Sequence, residues 1–234
     1  EYGRSAKLAA PVSTRAGFQL LKPGETSVTF TNVLSDAKAS ENQIRLNGSG
    51  DAIGDVNGDG RPDLYFCGLE SSNALFLNLG NWRFAQALDS PEIACAGDYS
   101  TGAALADVDG DGDLDLLVNG IGSGTRLFLN EGAGHFRERN DRGLGRQSGA
   151  TTLALADIDG DGDLDLYVAN YRATTIRTTG FALLKKGEKL MVRDEDREQL
   201  EITAEGRVLE QGEPDVLYLN DGAGRFTAAS WTDG

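Results

Sequence analysis

Asp107-Val-Asp-Gly-Asp-Gly-Asp-Leu-Asp115 returns fifty residues later as Asp157-Ile-Asp-Gly-Asp-Gly-Asp-Leu-Asp165 and is anticipated by Asp55-Val-Asn-Gly-Asp-Gly-Arg-Pro-Asp63. Oxygen-bearing side chains fall at loop positions 1, 3, 5 and 9, with glycine at 4 and 6. A hard cation such as Ca²⁺ takes six to eight oxygens, and a tight loop turns alternate side chains inward to supply them. The expected ligands are Asp55, Asn57, Asp59 and Asp63; Asp107, Asp109, Asp111 and Asp115; and Asp157, Asp159, Asp161 and Asp165. Position 7 (Arg61, Asp113, Asp163) is expected to offer its backbone carbonyl, making three Ca²⁺ sites. The plain alternative is a solvated acidic turn. It suffers from the mutual repulsion of thirteen aspartates in three loops.

The loop begins like an EF-hand but does not continue as one. Position 12, where an EF-hand places a bidentate Glu, is Phe66, Val118 and Val168. The flanks, such as Thr152-Leu-Ala-Leu-Ala156 and Leu164-Asp-Leu-Tyr-Val168, are short, apolar or alternating, and read as strands. The metal loop therefore joins two strands of a hairpin.

A second signature follows each loop: Leu75-Phe-Leu-Asn78-Leu-Gly80, Leu127-Phe-Leu-Asn130-Glu-Gly132 and Leu217-Tyr-Leu-Asn220-Asp-Gly222, each with a Phe four residues beyond the glycine. Asn-x-Gly marks a turn between two further strands. Four short strands at a period of about 50 residues indicate a β-propeller blade; a solenoid is the second architecture. Blades are expected near 45–92, 98–140 and 149–230, within a propeller segment 26–234 that follows a linker or lead-in at 1–25. Ser27-Val-Thr-Phe-Thr31 reads as one more strand. Asp55 to Asn78 and Asp107 to Asn130 both span 23 residues, whereas Asp157 to Asn220 spans 63. The third blade thus carries an insertion at 171–214 between its second and third strands, with hairpins expected at 183–192 and 200–209. Antiparallel order puts the metal loops and Asn-x-Gly turns at one end, and the insertion and blade connections at the other. Partner-specific surface is expected at the second end, where loop length varies.

The net charge of −15 is nearly matched by the thirteen loop aspartates, so acidity belongs to the metal sites and nucleic acid is not an expected partner. No apolar stretch approaches the ~20 residues of a membrane helix. The chain starts without Met and stops just past its final strand, so both ends read as cut and the remaining blades as belonging to a larger parent. Cys67 and Cys95 both fall at the non-metal end, and a disulfide between them is expected.

These motifs resemble the FG-GAP/VCBS repeat family, which includes the propeller of integrin α subunits. The resemblance rests on the Asp-x-Asp-x-Asp-Gly-x-x-Asp loops and on Gly102-Ala-Ala-Leu-Ala-Asp107. Leu-Phe-Leu-Asn-x-Gly-x-x-x-Phe is similar to the subgroup of cartilage-acidic-protein-like chains that often carry an ASPIC/UnbV domain. The resemblance implies an all-β chain of about three four-stranded blades from a larger, seven-bladed propeller. It also implies secretion or surface display (extracellular or periplasmic) and calcium-stabilised binding or adhesion. Asn57 and Arg61-Pro62 depart from the pattern, which marks loop one as the weakest site.

The expected role is a non-catalytic binding scaffold for an extracellular protein or glycan. A propeller polysaccharide lyase or hydrolase is the alternative, as is a calcium-dependent lectin. The only histidine, His135, occupies the turn position of Arg83 and Arg225, and no Gly-x-Ser-x-Gly motif is present. Trp82, Tyr99, Tyr171 and Trp231 are candidate glycan platforms. Trp82 is expected to pack its own turn, while Tyr171 and Arg172 open the insertion on the partner end, where packing against the insertion's own hairpins is the favoured reading and contact with a partner the alternative.

Overall fold

In a strand successive side chains point to opposite faces, so an apolar set on one face or on both decides which faces of a sheet are covered. The computed structural model describes residues 18–88, 91–145, 147–187 and 189–229. A short helix α1 (Pro23–Thr26) and a second, α2 (Asp36–Glu41), precede the first sheet. That sheet is a meander of β1 (Asp51–Gly54), β2 (Asp63–Phe66), β3 (Ala74–Gly80) and β4 (Arg83–Gln86). The second contains β5 (Ser100–Ala106), β6 (Asp115–Gly120), β7 (Gly124–Asn130) and β8 (Phe136–Glu138). The third opens with β9 (Ala150–Ala156) and β10 (Asp165–Asn170). The insertion then supplies α3 (Ile176–Thr179) and two hairpins. These are β11 (Leu183–Lys186) with β12 (Lys189–Val192), and β13 (Leu200–Ile202) with β14 (Val208–Glu210). The sheet is completed by β15 (Val216–Asn220) and β16 (Phe226–Ala228). All three four-stranded sheets are antiparallel and have the form of propeller blades.

Register positions the acidic loops. Gly54 pairs with Asp63, Ala106 with Asp115, and Ala156 with Asp165, so each nine-residue loop closes a first hairpin. The first strands β1, β5 and β9 lie side by side. Gly50 donates its N–H to the Thr101 carbonyl at 2.9 Å, and Thr101 Oγ1 donates to the Ala150 carbonyl at 2.7 Å. A Cβ on Gly50 would stand 3.3 Å from Gly102 Cα, so the absence of a side chain there permits the close approach.

Two cores lie between the sheets. Val56, Tyr65 and Leu75 of sheet one meet Leu116, Phe128 and Phe136 of sheet two. Val108, Leu117, Leu127 and Leu129 of sheet two meet Leu166, Tyr218 and Phe226 of sheet three. Adjacent residues Leu116 and Leu117 thus serve opposite cores. Sheet two is covered on both faces, and β6 is buried along its whole length.

Several expectations change here. Residues 27–31 form no strand. They pass as irregular coil over sheet one, where Val28 and Phe30 pack on Phe76 and Phe84, and Phe30 stacks on Phe66 at 5.2 Å. The segment is fastened at its end through one serine: Val33 N–H donates to Ser71 Oγ, and Ser71 Oγ to the Thr31 carbonyl. The expected disulfide is absent. Cys67 and Cys95 are free thiols buried in the first core, with the Tyr65 hydroxyl 4.0 Å from Cys95 Sγ. Trp82 does not pack its turn; it is 70% exposed with φ +60°. Residues 1–17 and Trp231 fall outside the described residues.

Candidate metal centres

Glycines 4 and 6 of all three loops adopt left-handed backbone, with φ between +73° (Gly58) and +100° (Gly162). That conformation is nearly free for glycine and costly for other residues. It curls the chain so that successive N–H groups fall onto the loop carboxylates. Asp107 Oδ1 accepts from Gly110 N (2.8 Å) and Oδ2 from Gly112 N (3.0 Å); Asp157 accepts from Gly160 (2.7 Å) and Gly162 (3.2 Å) in the same way.

The position-9 carboxylates are the fixed points. Asp63, Asp115 and Asp165 are fully buried. One oxygen of each accepts the N–H of position 2 (Val56, Val108, Ile158) at 2.9–3.1 Å. The other accepts the N–H of the Asn-x-Gly asparagine (Asn78, Asn130, Asn220) at 2.7–2.9 Å. Two turns far apart in sequence are thereby tied together at one end of each sheet.

Around these points the loops gather carboxylates. Oxygens of Asp107, Asp109 and Asp115 lie within 4.8 Å of one another, as do those of Asp157, Asp159 and Asp165. Asp111 and Asp161 stand outside the triads and accept the N–H groups of Asp113 and Asp163 at 2.9 Å. The position-7 side chains of loops two and three, Asp113 and Asp163, are half-buried rather than free in solvent. The Asp163 carboxylate lies where a Cβ on Gly222 would collide with it.

Loop one differs as its sequence suggests. Asn57 replaces the carboxylate at position 3, and Arg61 Nη2 pairs with Asp59 Oδ2 at 2.6 Å while its Nε donates to the Asn78 carbonyl. A guanidinium thus sits where loops two and three carry a further aspartate. Among the described residues no basic side chain forms an ion pair with the aspartates of loops two or three.

Burial pushes the Asp115 carboxyl up to about 6, with nearby Asp109 and Asp111 adding to the rise. Burial likewise raises Asp63, and burial followed by the neighbouring Asp111 charge raises Asp109. These carboxylates disfavour ionisation as they stand, and a divalent cation would reverse that. The all-oxygen donor set suits a hard ion such as Ca²⁺, and the buried position-9 oxygens aimed at two further carboxylates fit it.

The opposite end is built from non-repeating parts. α2 and the 3₁₀ turn Gln43–Asn47 reach across to the root of the insertion. Thr175 Oγ1 donates to the Glu41 carbonyl (2.8 Å), and Asn42 Nδ2 to the Arg172 carbonyl (3.2 Å). Arg172 is 3% exposed and bound to Glu210 (2.6 Å) and Gln199, so it anchors the insertion instead of facing a partner. Tyr171 remains partly exposed and lines a cavity of about 230 Å³ with Asn42, Gln43, Thr175, Arg177 and Glu210. Tyr99 is covered by the Arg45 guanidinium, 3.7 Å above its ring. Among the described residues no helix is long and apolar enough to cross a membrane.

Comparison with known proteins agrees with the repeat reading. The FG-GAP-like repeat family model matches twice, over residues 55–118 and 107–168. This part of the chain is thus similar to FG-GAP-like repeats. No curated protein matches. Among solved structures, the chain is similar to a lectin from Agrocybe aegerita titled for specific recognition of non-reducing terminal N-acetylglucosamine. Identity is 23%, coverage is 75% of this chain and 50% of that one, and the TM-score is 0.34. The chain spans about half the length of that structure.

Proposed function

We propose that this chain is a calcium-binding part of an extracellular β-propeller that serves as a non-catalytic binding scaffold for protein or glycan partners. The observation that carries the proposal is the repeated carboxylate triad, set at the same end of two successive sheets on a buried aspartate. Asp107, Asp109, Asp111 and Asp115 would hold one ion, with the Asp113 carbonyl, and their counterparts from 157 to 165 a second. Loop one would hold a third more weakly through Asp55, Asn57, Asp59, Asp63 and the Arg61 carbonyl. The ion would supply charge compensation and stiffness, since unfolded loops cannot assemble its oxygen shell.

Recognition falls to the other end, where the insertion and α2 add surface that the repeats lack. The Tyr171 ring, Gln43 and Arg177 at the 230 Å³ cavity combine an apolar plate with donors, as a glycan or polar peptide requires. Further blades complete the scaffold: Val56 and Val108 are each 2% exposed beneath the next sheet, whereas the equivalent Ile158 is 53% exposed. A fourth sheet of the same kind would cover it.

Glycan and extracellular-protein arrays probed with the chain in Ca²⁺ and in EDTA test this reading. A calcium-dependent signal lost in Tyr171→Ala supports it. Calcium-independent depolymerisation of a polysaccharide would replace the scaffold with an enzyme.

A further inference from the structure

The asparagine of the Asn-x-Gly turn reaches beyond its own sheet. Asn130 Nδ2 donates to the Val56 carbonyl of the preceding acidic loop at 2.9 Å and to Leu114 of its own loop at 3.2 Å. Asn220 repeats this with Val108 at 2.8 Å and Leu164 at 3.2 Å. Both asparagines are buried. The Asn78 side chain, by contrast, donates only to the Pro62 carbonyl of its own loop among the described residues.

These bonds form one chain through three loops. Val56 N–H donates to Asp63, and its carbonyl accepts from Asn130. Asn130 N–H donates to Asp115, whose other oxygen accepts from Val108 N–H. The Val108 carbonyl accepts from Asn220, whose N–H donates to Asp165, and Asp165 accepts in turn from Ile158 N–H. Every link passes through a position-9 carboxylate or the residue beside position 1.

We propose that Asn130 and Asn220 couple the acidic loops of neighbouring sheets, so that calcium entering one loop raises the affinity of the next. The inference rests on the calcium reading above. An ion that fixes Asp165 also fixes Asn220, and Asn220 holds the carbonyl of Val108, the residue whose N–H orients Asp115. The second loop then has less freedom to lose on binding its own ion. Like charges on two ions oppose this gain, but the intervening carboxylates screen them.

The amides of Gly112 and Gly162, followed by NMR during Ca²⁺ titration of the whole chain, report loops two and three separately. In the wild type the two should fill together. Emptying loop three with Asp157→Ala should raise the calcium concentration that half-fills loop two by about fivefold or more. In Asn220→Ala the loops should fill independently, and adding Asp157→Ala should leave the Gly112 midpoint where it was. Asn220→Asp, which keeps the shape and loses the donor, gives the same reading if the alanine variant does not fold. Asn78→Ala should preserve the coupling of loops two and three. A Gly112 midpoint indifferent to Asp157→Ala while both loops bind calcium overturns the coupling alone, as does coupling that survives both Asn220 variants. Silence of both amides well above the millimolar range of extracellular modules overturns the calcium reading with it.

Discussion

If loop one binds calcium as proposed, replacing Arg61 by Gln should tighten that site without harming the fold. The guanidinium is 2.6 Å from Asp59 and competes with any ion for that carboxylate. If position 7 gives only its carbonyl, the side-chain charge lies roughly 6 Å from the ion. Coulomb's law then gives about 1.4 kcal/mol between a unit charge and Ca²⁺ in water, and physiological salt roughly halves it. The side chains of Arg61 and Asp59 are 47% and 29% exposed, so the high-dielectric figure applies. Removing the charge should tighten calcium binding in loop one by about three- to tenfold. The exposed pair itself is worth about 0–1 kcal/mol, so the melting temperature without calcium should barely move. The Gly60 amide, which donates to Asp55 Oδ2, is a local reporter of calcium titration by NMR. The gain should shrink as salt is raised. An unchanged or weaker midpoint in Arg61→Gln would refute the view that this guanidinium blocks the site.

Asp115 supplies a pH dependence. Its folded value of about 6 lies above the ordinary carboxyl value of 3.8, so the calcium-free folded state holds the extra proton between them. Its contribution to stability is fullest below about 4 and declines as pH rises through about 6. Chemical denaturation of the calcium-free chain should show this slope and Asp115→Asn should flatten it, while calcium affinity in loop two should fall as pH drops through 6. Gly222→Ala should destabilise the fold by ~1–2 kcal/mol in urea, since the turn has φ +74° and the new Cβ would strike the Asp163 carboxylate; a neutral result would contradict the packing of that carboxylate on the turn. Burial raises the Cys67 thiol strongly and pushes Cys95 up to about 11. Both should resist thiol reagents until the chain unfolds, and a mass lower by two hydrogens in non-reduced protein would show instead that they had bonded.

Much of this architecture was legible because it repeats. Asp, Asn and Gly at fixed spacing specify loops and turns through backbone geometry that few other residues adopt, and the 40-residue surplus between Asp157 and Asn220 located the insertion and its two hairpins. What failed was non-repeating and long-range. Ser27–Thr31 alternates like a strand, but no free edge pairs with it, and its aromatic ring is used against Phe66 instead. The helix α2 and the 3₁₀ turn after it carry little periodicity over so few residues, yet Asn42, Gln43 and Ile44 at their junction line one side of the cavity beside Tyr171. Trp82 occupies the place where Gly134 approaches Val56 and Gly224 approaches Val108; sheet one has no such neighbour there among the described residues, and the ring stays in solvent. Asn130 and Asn220 were readable as turn residues. Their reach into the preceding loop depends on sheet packing that local sequence does not encode.

Calorimetric Ca²⁺ titration, paired with thermal melts in calcium and in EDTA, tests the central claim most directly. The account predicts two stronger sites and one weaker site, loss of one strong site in Asp107→Ala and another in Asp157→Ala, and a melting temperature that rises with calcium as each filled site stabilises the fold, by about 2.7 kcal/mol at a hundredfold excess over its Kd. Absence of binding, or binding with no change in melting temperature in a chain that is folded without calcium, would contradict it.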